Sequence, residues 1–192
     1  MMRAFRLLLT LAFALLLAAC GKPASFQGSD ISGASFGGDF TLTAQDGKPR
    51  KLSDFHGKAV ALFFGYTQCP DVCPTTMVEL KDVMKQLGAD ADKVQVLFVS
   101  VDPLRDTTAV LSQYVPAFDP RFIGLTGSRA DVDKVAEQYK VIVQQQGSGA
   151  NYTVDHSAGT YLIDKQGKLR VLVNYGAGSA VLAHDLRALV QE

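Results

Sequence analysis

Apolar and polar positions along the 192 residues fall into short blocks of two periods. Ala59 to Phe64 is an unbroken apolar run, which predicts a strand buried on both faces. After it Val78, Leu80, Val83, Met84 and Leu87 recur at helical spacing, and Gly88 stops them. Val94 to Val101 predicts a second buried strand that ends in Asp102-Pro103. Upstream, Phe40 to Thr43 alternates as a strand, and Asp46-Gly47 turns it back through Lys48 to Leu52. Ser53 to Gly57 is then a short turn. Downstream, Thr108 to Phe118 reads as a helix capped by Asp106 or Thr107, and Ser128 to Tyr139 as one capped by Ser128. Phe122 to Leu125 and Val141 to Gln145 read as short strands, and Asn151 to Ala158 as a polar loop. Gly159 to Asp164 and Lys168 to Val173 form a hairpin, and Ser179 to Val190 closes the chain as a helix.

Strands alternating with helices predict an α/β domain, a central mixed sheet with helices on both faces. A cysteine pair between an early core strand and its helix gives this order the look of a thioredoxin-like fold.

The first residues follow a different pattern. Arg3 and Arg6 precede an apolar core from Leu7 to Leu17, and Leu17-Ala18-Ala19-Cys20 closes it. This predicts a secretory signal over residues 1–19, too short in its apolar core for a full membrane span. A cysteine directly after small residues resembles the bacterial lipobox, so Cys20 is expected to be lipidated as the first mature residue. Residues 20–38, rich in Gly and Ser, are expected to be a flexible tether, and residues 39–192 one domain. The expected location is that of a cell-membrane lipoprotein with its domain in the periplasm.

The whole chain has 19 basic and 19 acidic residues. Removing a leader that carries two arginines and no acid leaves a net charge of about −2, with no run of one sign. That argues against nucleic acid as a partner. Beyond Cys20 the mature part has a single cysteine pair, too few for a disulfide framework.

That pair is Cys69 and Cys73, in Gly65-Tyr66-Thr67-Gln68-Cys69-Pro70-Asp71-Val72-Cys73-Pro74. Pro74 suits a first helical position, which puts both thiols on the loop before the helix. The positive helix end is then expected to lower their pKa values and favour thiolates. Such a pair can close a disulfide, bind a soft metal or sit inertly in a core. A polar, proline-bracketed loop at a helix start favours the first two.

The chain has three histidines. His56 in a turn and His184 in the last helix read as partly solvated surface residues. His156 precedes the strand Gly159 to Asp164, in a loop that a thioredoxin-like sheet turns toward the cysteines. Two thiolates and one imidazole form a soft, open site that suits Cu(I), and Cu(II) with an added oxygen ligand. A structural zinc site would normally need a fourth ligand.

The cysteine loop, Ser100-Val101-Asp102-Pro103 with Arg105-Asp106, and Val154-Asp155-His156-Ser157 with Tyr161-Leu162-Ile163-Asp164 together resemble the Sco/SenC family. The resemblance runs from about Phe40 to the C-terminal helix. It implies a membrane-tethered, thioredoxin-like copper protein that helps assemble the binuclear copper site of cytochrome c oxidase subunit II, with another copper chaperone as a candidate donor. Carried over by position, the ligands are Cys69, Cys73 and His156. Asp102, which matches an acidic position of the family, and Asp155 are expected to support them.

The rival class is a periplasmic thiol-disulfide oxidoreductase. Against it as the main role stand the three-residue gap between the cysteines and the absence of any tryptophan. His156 also occupies the region where such enzymes carry a cis-proline. A peroxidase would use a single peroxidatic cysteine. Thiol reduction and copper transfer can coexist in one site.

Overall fold

A computed structural model of the chain describes residues 25–192. The expected signal (1–19) and the lipidation candidate Cys20 lie outside them. Ten strands are present among these residues: β1 (Ser29–Asp30), β2 (Thr41–Ala44), β3 (Pro49–Lys51), β4 (Ala59–Gly65), β5 (Val94–Ser100), β6 (Ile123–Thr126), β7 (Val143–Gln146), β8 (Thr153–His156), β9 (Thr160–Ile163) and β10 (Leu169–Val173). The α-helices are α1 (Val72–Leu87), α2 (Thr108–Tyr114), α3 (Arg129–Gln138) and α4 (Ser179–Gln191). Eight strands make one sheet in the order β1-β10-β9-β4-β5-β6-β2-β3, and β7 pairs with β8 as a separate ribbon.

The sheet is mixed because its two kinds of connection differ. β4, β5 and β6 run parallel, joined by crossovers that contain α1 and α2. β9 and β10 are a hairpin turned at Gly167 (φ 79°), and β9 lies antiparallel to β4. Every residue of β4 and β5 is buried, which is why both read as continuous apolar runs. Successive side chains on β4 point to opposite faces, so Phe63 meets Phe98 and His156 on one side. Phe64 meets Tyr139, just after α3, and Tyr161 on the other. The α/β, thioredoxin-like architecture with a central mixed sheet is the one expected.

Four expectations need correction. The segment 20–38, expected to be a flexible tether, is built into the domain from residue 25 onward. Phe26, Ile31, Ala34 and Phe36 pack on the core, and β1 pairs with β10. The backbone N–H groups of Gln27 and Gly28 donate to the buried carboxylate of Asp185 at 2.8 Å each. α1 starts at Val72, two residues before Pro74, so Cys73 belongs to its first turn rather than to the loop. The stretch Asn151 to Ala158, expected to be a polar loop, contains β8: Tyr152 and Val154 are buried while Thr153 and Asp155 are exposed, the alternation of a half-buried strand. Finally, the candidate cap Asp106 is buried elsewhere. Thr107 caps α2, its side chain accepting the Val110 N–H.

Candidate metal centre

β4 ends at Gly65, and the end of that strand supports the site. A Cβ on Gly65 would come within 3.0 Å of the Cys73 sulfur and 2.9 Å of Phe98 Cε2, so only glycine lets the sulfur settle against the strand. The loop after it is anchored at Thr67, whose N–H and hydroxyl donate to Asp106 at 3.0 and 2.6 Å. Ser100 donates its hydroxyl to the same carboxylate at 2.7 Å. Burial nevertheless holds the Asp106 pKa above the usual carboxylate range.

This anchoring delivers Cys69 half-buried at the surface and Cys73 fully inside, 0% exposed. The backbone N–H of Cys73 points at Cys69 Sγ, 3.5 Å away. On the same face of the sheet, β8 presents His156, whose Nε2 lies 3.4 Å from Cys73 Sγ. One donor atom from each of Cys69, Cys73 and His156 lies within 4.8 Å of the others. Two ligands bound at about 2.0 and 2.3 Å stand roughly 3.5–4 Å apart around one metal, so small adjustments suffice for coordination.

The imidazole is prepared as a ligand. Its Nδ1 lies 3.0 Å from the Ser157 carbonyl oxygen, which can only accept, so Nδ1 carries the proton and Nε2 offers its lone pair to the sulfurs. Burial lowers the His156 pKa and keeps the ring neutral. Phe63 and Tyr66 pack edge-on against it, centroids 6.3 and 6.0 Å away. A cleft of about 330 Å³ opens beside the group, lined by Tyr66, Cys69, Pro70, Val72, Val154 and His156 among others.

The expected lowering of both thiol pKa values fails for Cys73. Burial pushes its thiol well up, even though the Tyr66 N–H bonds the sulfur. A helix end contributes about 0.3–1 kcal/mol, whereas full burial of a charge shifts a pKa by several units. Copper must therefore displace a proton from Cys73 across the neutral range, while His156, neutral above its ordinary pKa, does not compete. The apparent Cu(I) affinity is expected to rise about tenfold per pH unit for each thiol proton released. Competition titrations between pH 6 and 8, corrected for the chelator's own protonation, measure the slope. A flat profile contradicts it.

The two expected acidic supports part ways. Asp155 is exposed and accepts from Gln146 Nε2 at 2.9 Å across the β7–β8 ribbon, with no bond to His156. Asp102 is fully buried and works at one remove. It pairs with Arg105 through Oδ2 and accepts the Tyr152 hydroxyl on Oδ1 at 2.6 Å. Arg105 then donates from Nη1 to Gln68 Oε1 and to the Tyr152 carbonyl, both at 2.9 Å, and stacks 3.7 Å over the Tyr152 ring. One guanidinium thus ties the residue before Cys69 to the strand that carries His156. Tyr66 adds a second tie, its hydroxyl accepting the Val154 N–H at 3.3 Å. Arg105 and Tyr66 lie within the sequence motifs, but the groups they join are far apart in the chain, so no local pattern reveals their role.

The SCO1/SenC family model matches residues 28–191. The chain belongs to the SCO1/SenC family. It is 42% identical over 134 residues to a Bos taurus mitochondrial SCO2 homolog, covering 68% of this chain and 50% of the relative. It is 38% identical over 135 residues to a SCO2-like protein of Rickettsia felis, covering 69% and 66%. The chain therefore spans between half and two thirds of the length of these curated relatives. Among solved structures it is similar to Bradyrhizobium japonicum ScoI with copper bound: 41% identity, TM-score 0.75, 81% of this chain and 99% of that one. Copper also suits the donor set found here, two sulfurs and a neutral imidazole in an open, partly apolar cleft.

Proposed function

We propose that this protein is a copper metallochaperone that holds copper through Cys69, Cys73 and His156 and passes it to the binuclear copper site of cytochrome c oxidase subunit II. The observation that carries this reading is the convergence of the three donors, brought from α1's start and from β8 to within 4.8 Å. Two thiolates retain Cu(I), and the imidazole completes a three-ligand set that also accepts Cu(II). With Cys69 half-exposed at the cleft, an incoming thiol can reach the metal and exchange ligands one at a time. Another copper chaperone is the proposed donor. The proposed location is the periplasmic face of the cell membrane, anchored through a lipid on Cys20. Among the described residues no helix is long and apolar enough to cross a membrane.

Metal analysis of the reduced protein tests the site. One Cu(I) per chain is expected, with an X-ray absorption shell of two sulfurs and one nitrogen. An all-sulfur shell, or no copper held against a chelator, contradicts the assignment.

A second reading has its own support. The Cys73 N–H directed at Cys69 Sγ shows the two cysteines in neighbouring positions, as a redox pair requires. A thiol-disulfide oxidoreductase that keeps the oxidase cysteines reduced would use only these two groups.

A further inference from the structure

The β7–β8 ribbon has two long edges, and only one of them is covered. Its pairing sets Val143 opposite His156, Gln144 opposite Asp155, Gln145 opposite Val154 and Gln146 opposite Thr153. In an antiparallel pair, alternate residues turn their backbone groups toward the partner strand and away from it. The open end of the ribbon fixes which are which. Ser157 donates its N–H to the Ile142 carbonyl at 3.1 Å, and Ile142 donates its N–H to the Ser157 hydroxyl at 3.0 Å. Ile142, Gln144 and Gln146 therefore face β8, and Val143 and Gln145 turn their N–H and carbonyl groups outward. On β8 the same alternation turns Val154 away from β7, and there its N–H donates to the Tyr66 hydroxyl at 3.3 Å. Arg105 serves that edge too, donating to the Tyr152 carbonyl at 2.9 Å.

Nothing equivalent covers β7. It is an outer strand of its two-stranded sheet, and among the described residues no strand pairs with its second edge. Gln144, Gln145 and Gln146 are exposed, and β7 carries none of the charges, prolines or bulges that usually block a free edge. Ile142, just before it, is 73% exposed. A groove of about 490 Å³ lies between the end of α3 and the start of β7, lined by Ala136, Glu137, Lys140, Val141, Ile142 and Val143 among others. The ribbon is also one wall of the copper cleft, through Thr153, Val154, Asp155 and His156. A protein that reaches Cys69 through that cleft meets β8, and the free edge lies one strand spacing further on, about 4.8 Å. An extended chain completes such an edge, because its own N–H and carbonyl groups recur at the same spacing.

We propose that β7 is a docking edge for the copper-exchange partner, which adds an extended segment of its own as a third strand of the ribbon. The uncharged strand and the exposed Ile142 fit a segment that brings an apolar side chain to the groove. Pairing at Val143 holds that segment next to the strand position opposite His156. This rests on the copper-binding reading above and adds to it where the partner binds.

The test uses the full copper-loaded chain, with the copper-binding domain of cytochrome c oxidase subunit II as the probe and amide hydrogen exchange as the readout. In the chain alone, the Val143 and Gln145 amides are expected to exchange faster than the Gln144 amide between them. With the probe, Val143 and Gln145 should gain about tenfold protection and Gln144 little, an alternation that side-chain contact alone does not produce. Gln145→Pro removes one outward N–H and leaves the bonds to β8 in place. It should weaken probe binding about tenfold while Cu(I) affinity stays within about twofold. Ile142→Ser changes only an exposed side chain and should weaken the probe about threefold, which keeps the test decisive if proline disturbs the ribbon. Unchanged probe binding in both variants overturns the proposal, as does probe binding without the alternating protection. Slow exchange of Val143 and Gln145 in the chain alone also overturns it, because the edge is then already covered. A second copy is the cover if that protection grows with protein concentration, and the chain's own N-terminal part if it does not. If the chain holds no copper, the copper reading falls and this inference with it. If it holds copper and the probe leaves Val143 and Gln145 unchanged, only the inference falls.

Discussion

His156→Ala is expected to lower Cu(II) affinity on the order of 10³-fold, about 4 kcal/mol at 1.4 kcal/mol per tenfold. Cu(I) affinity is expected to fall only about tenfold, because two thiolates alone still hold that ion. The split follows from the site. His156 is its one nitrogen donor, set by the Ser157 carbonyl to offer Nε2, and Cu(II) depends on nitrogen more than Cu(I) does. His56→Ala is the control, since His56 is exposed and away from the three donors. Parallel titrations with the two oxidation states measure the effect. Reduction of a small disulfide substrate by the same variant should stay nearly intact, since it needs only Cys69 and Cys73. Equal losses for Cu(I) and Cu(II) would remove His156 from the ligand set. In cells the variant should impair oxidase assembly most when copper is scarce. Normal assembly under low copper, with Cys69→Ser abolishing it, would favour the oxidoreductase reading instead.

Arg105→Met is the second large effect, and it acts on geometry. The guanidinium joins Gln68, the Tyr152 carbonyl and buried Asp102. Removing it leaves Asp102 with the Tyr152 hydroxyl and a distant Arg129, 3.8 Å away at Nη2. Stripping one partner from a buried ion pair costs about 3–5 kcal/mol, and the remaining contacts place the expected loss near the lower end, about 3 kcal/mol in denaturant unfolding. The informative readout is elsewhere. Hydrogen exchange at Val154 and Ser157, whose N–H groups hold the β8 region, should speed up while β4 and β5 stay protected. Cu(II) affinity should fall about 10- to 100-fold, as for loss of an outer support at other metal sites. Adding Asp102→Asn should return much of the stability, because the orphaned charge is gone, without returning the affinity. If the double variant recovers both, Arg105 is only a partner for Asp102 and does not align the two halves of the site.

How much of this was legible beforehand depends on the range of the interactions involved. The buried strands β4 and β5, the Asp46-Gly47 turn and the Ser128 cap are written in neighbouring residues, and they stand where local rules put them. The cysteine spacing and the separation of His156 from His56 and His184 were also readable, from motif context. The helical stripe was readable at Leu80, Val83, Met84 and Leu87 and misplaced only at Val78. It runs through Cys73, Met77, Leu80, Met84 and Leu87, which leaves Val78 49% exposed. Continuing the stripe back through Met77 puts Cys73 on the core side.

The sequence by itself determined the order of the central strands and the helices, the soft-metal chemistry of the donor types and the family. Tertiary structure alone decided that Cys73 is inside and Cys69 at the surface, and therefore that burial outweighs the helix end at Cys73. It decided that residues 25–38 lie on the domain, through Asp185, which is more than 150 positions away. It decided that Asp102 rather than Asp155 supports the site, because Arg105 reaches both the cysteine loop and the His156 strand. The division has a physical cause. Propensity, capping and turn chemistry act over about four residues. Burial, desolvation and hydrogen-bond partnership instead depend on which distant segments close over a group, and no short window of the chain contains that information.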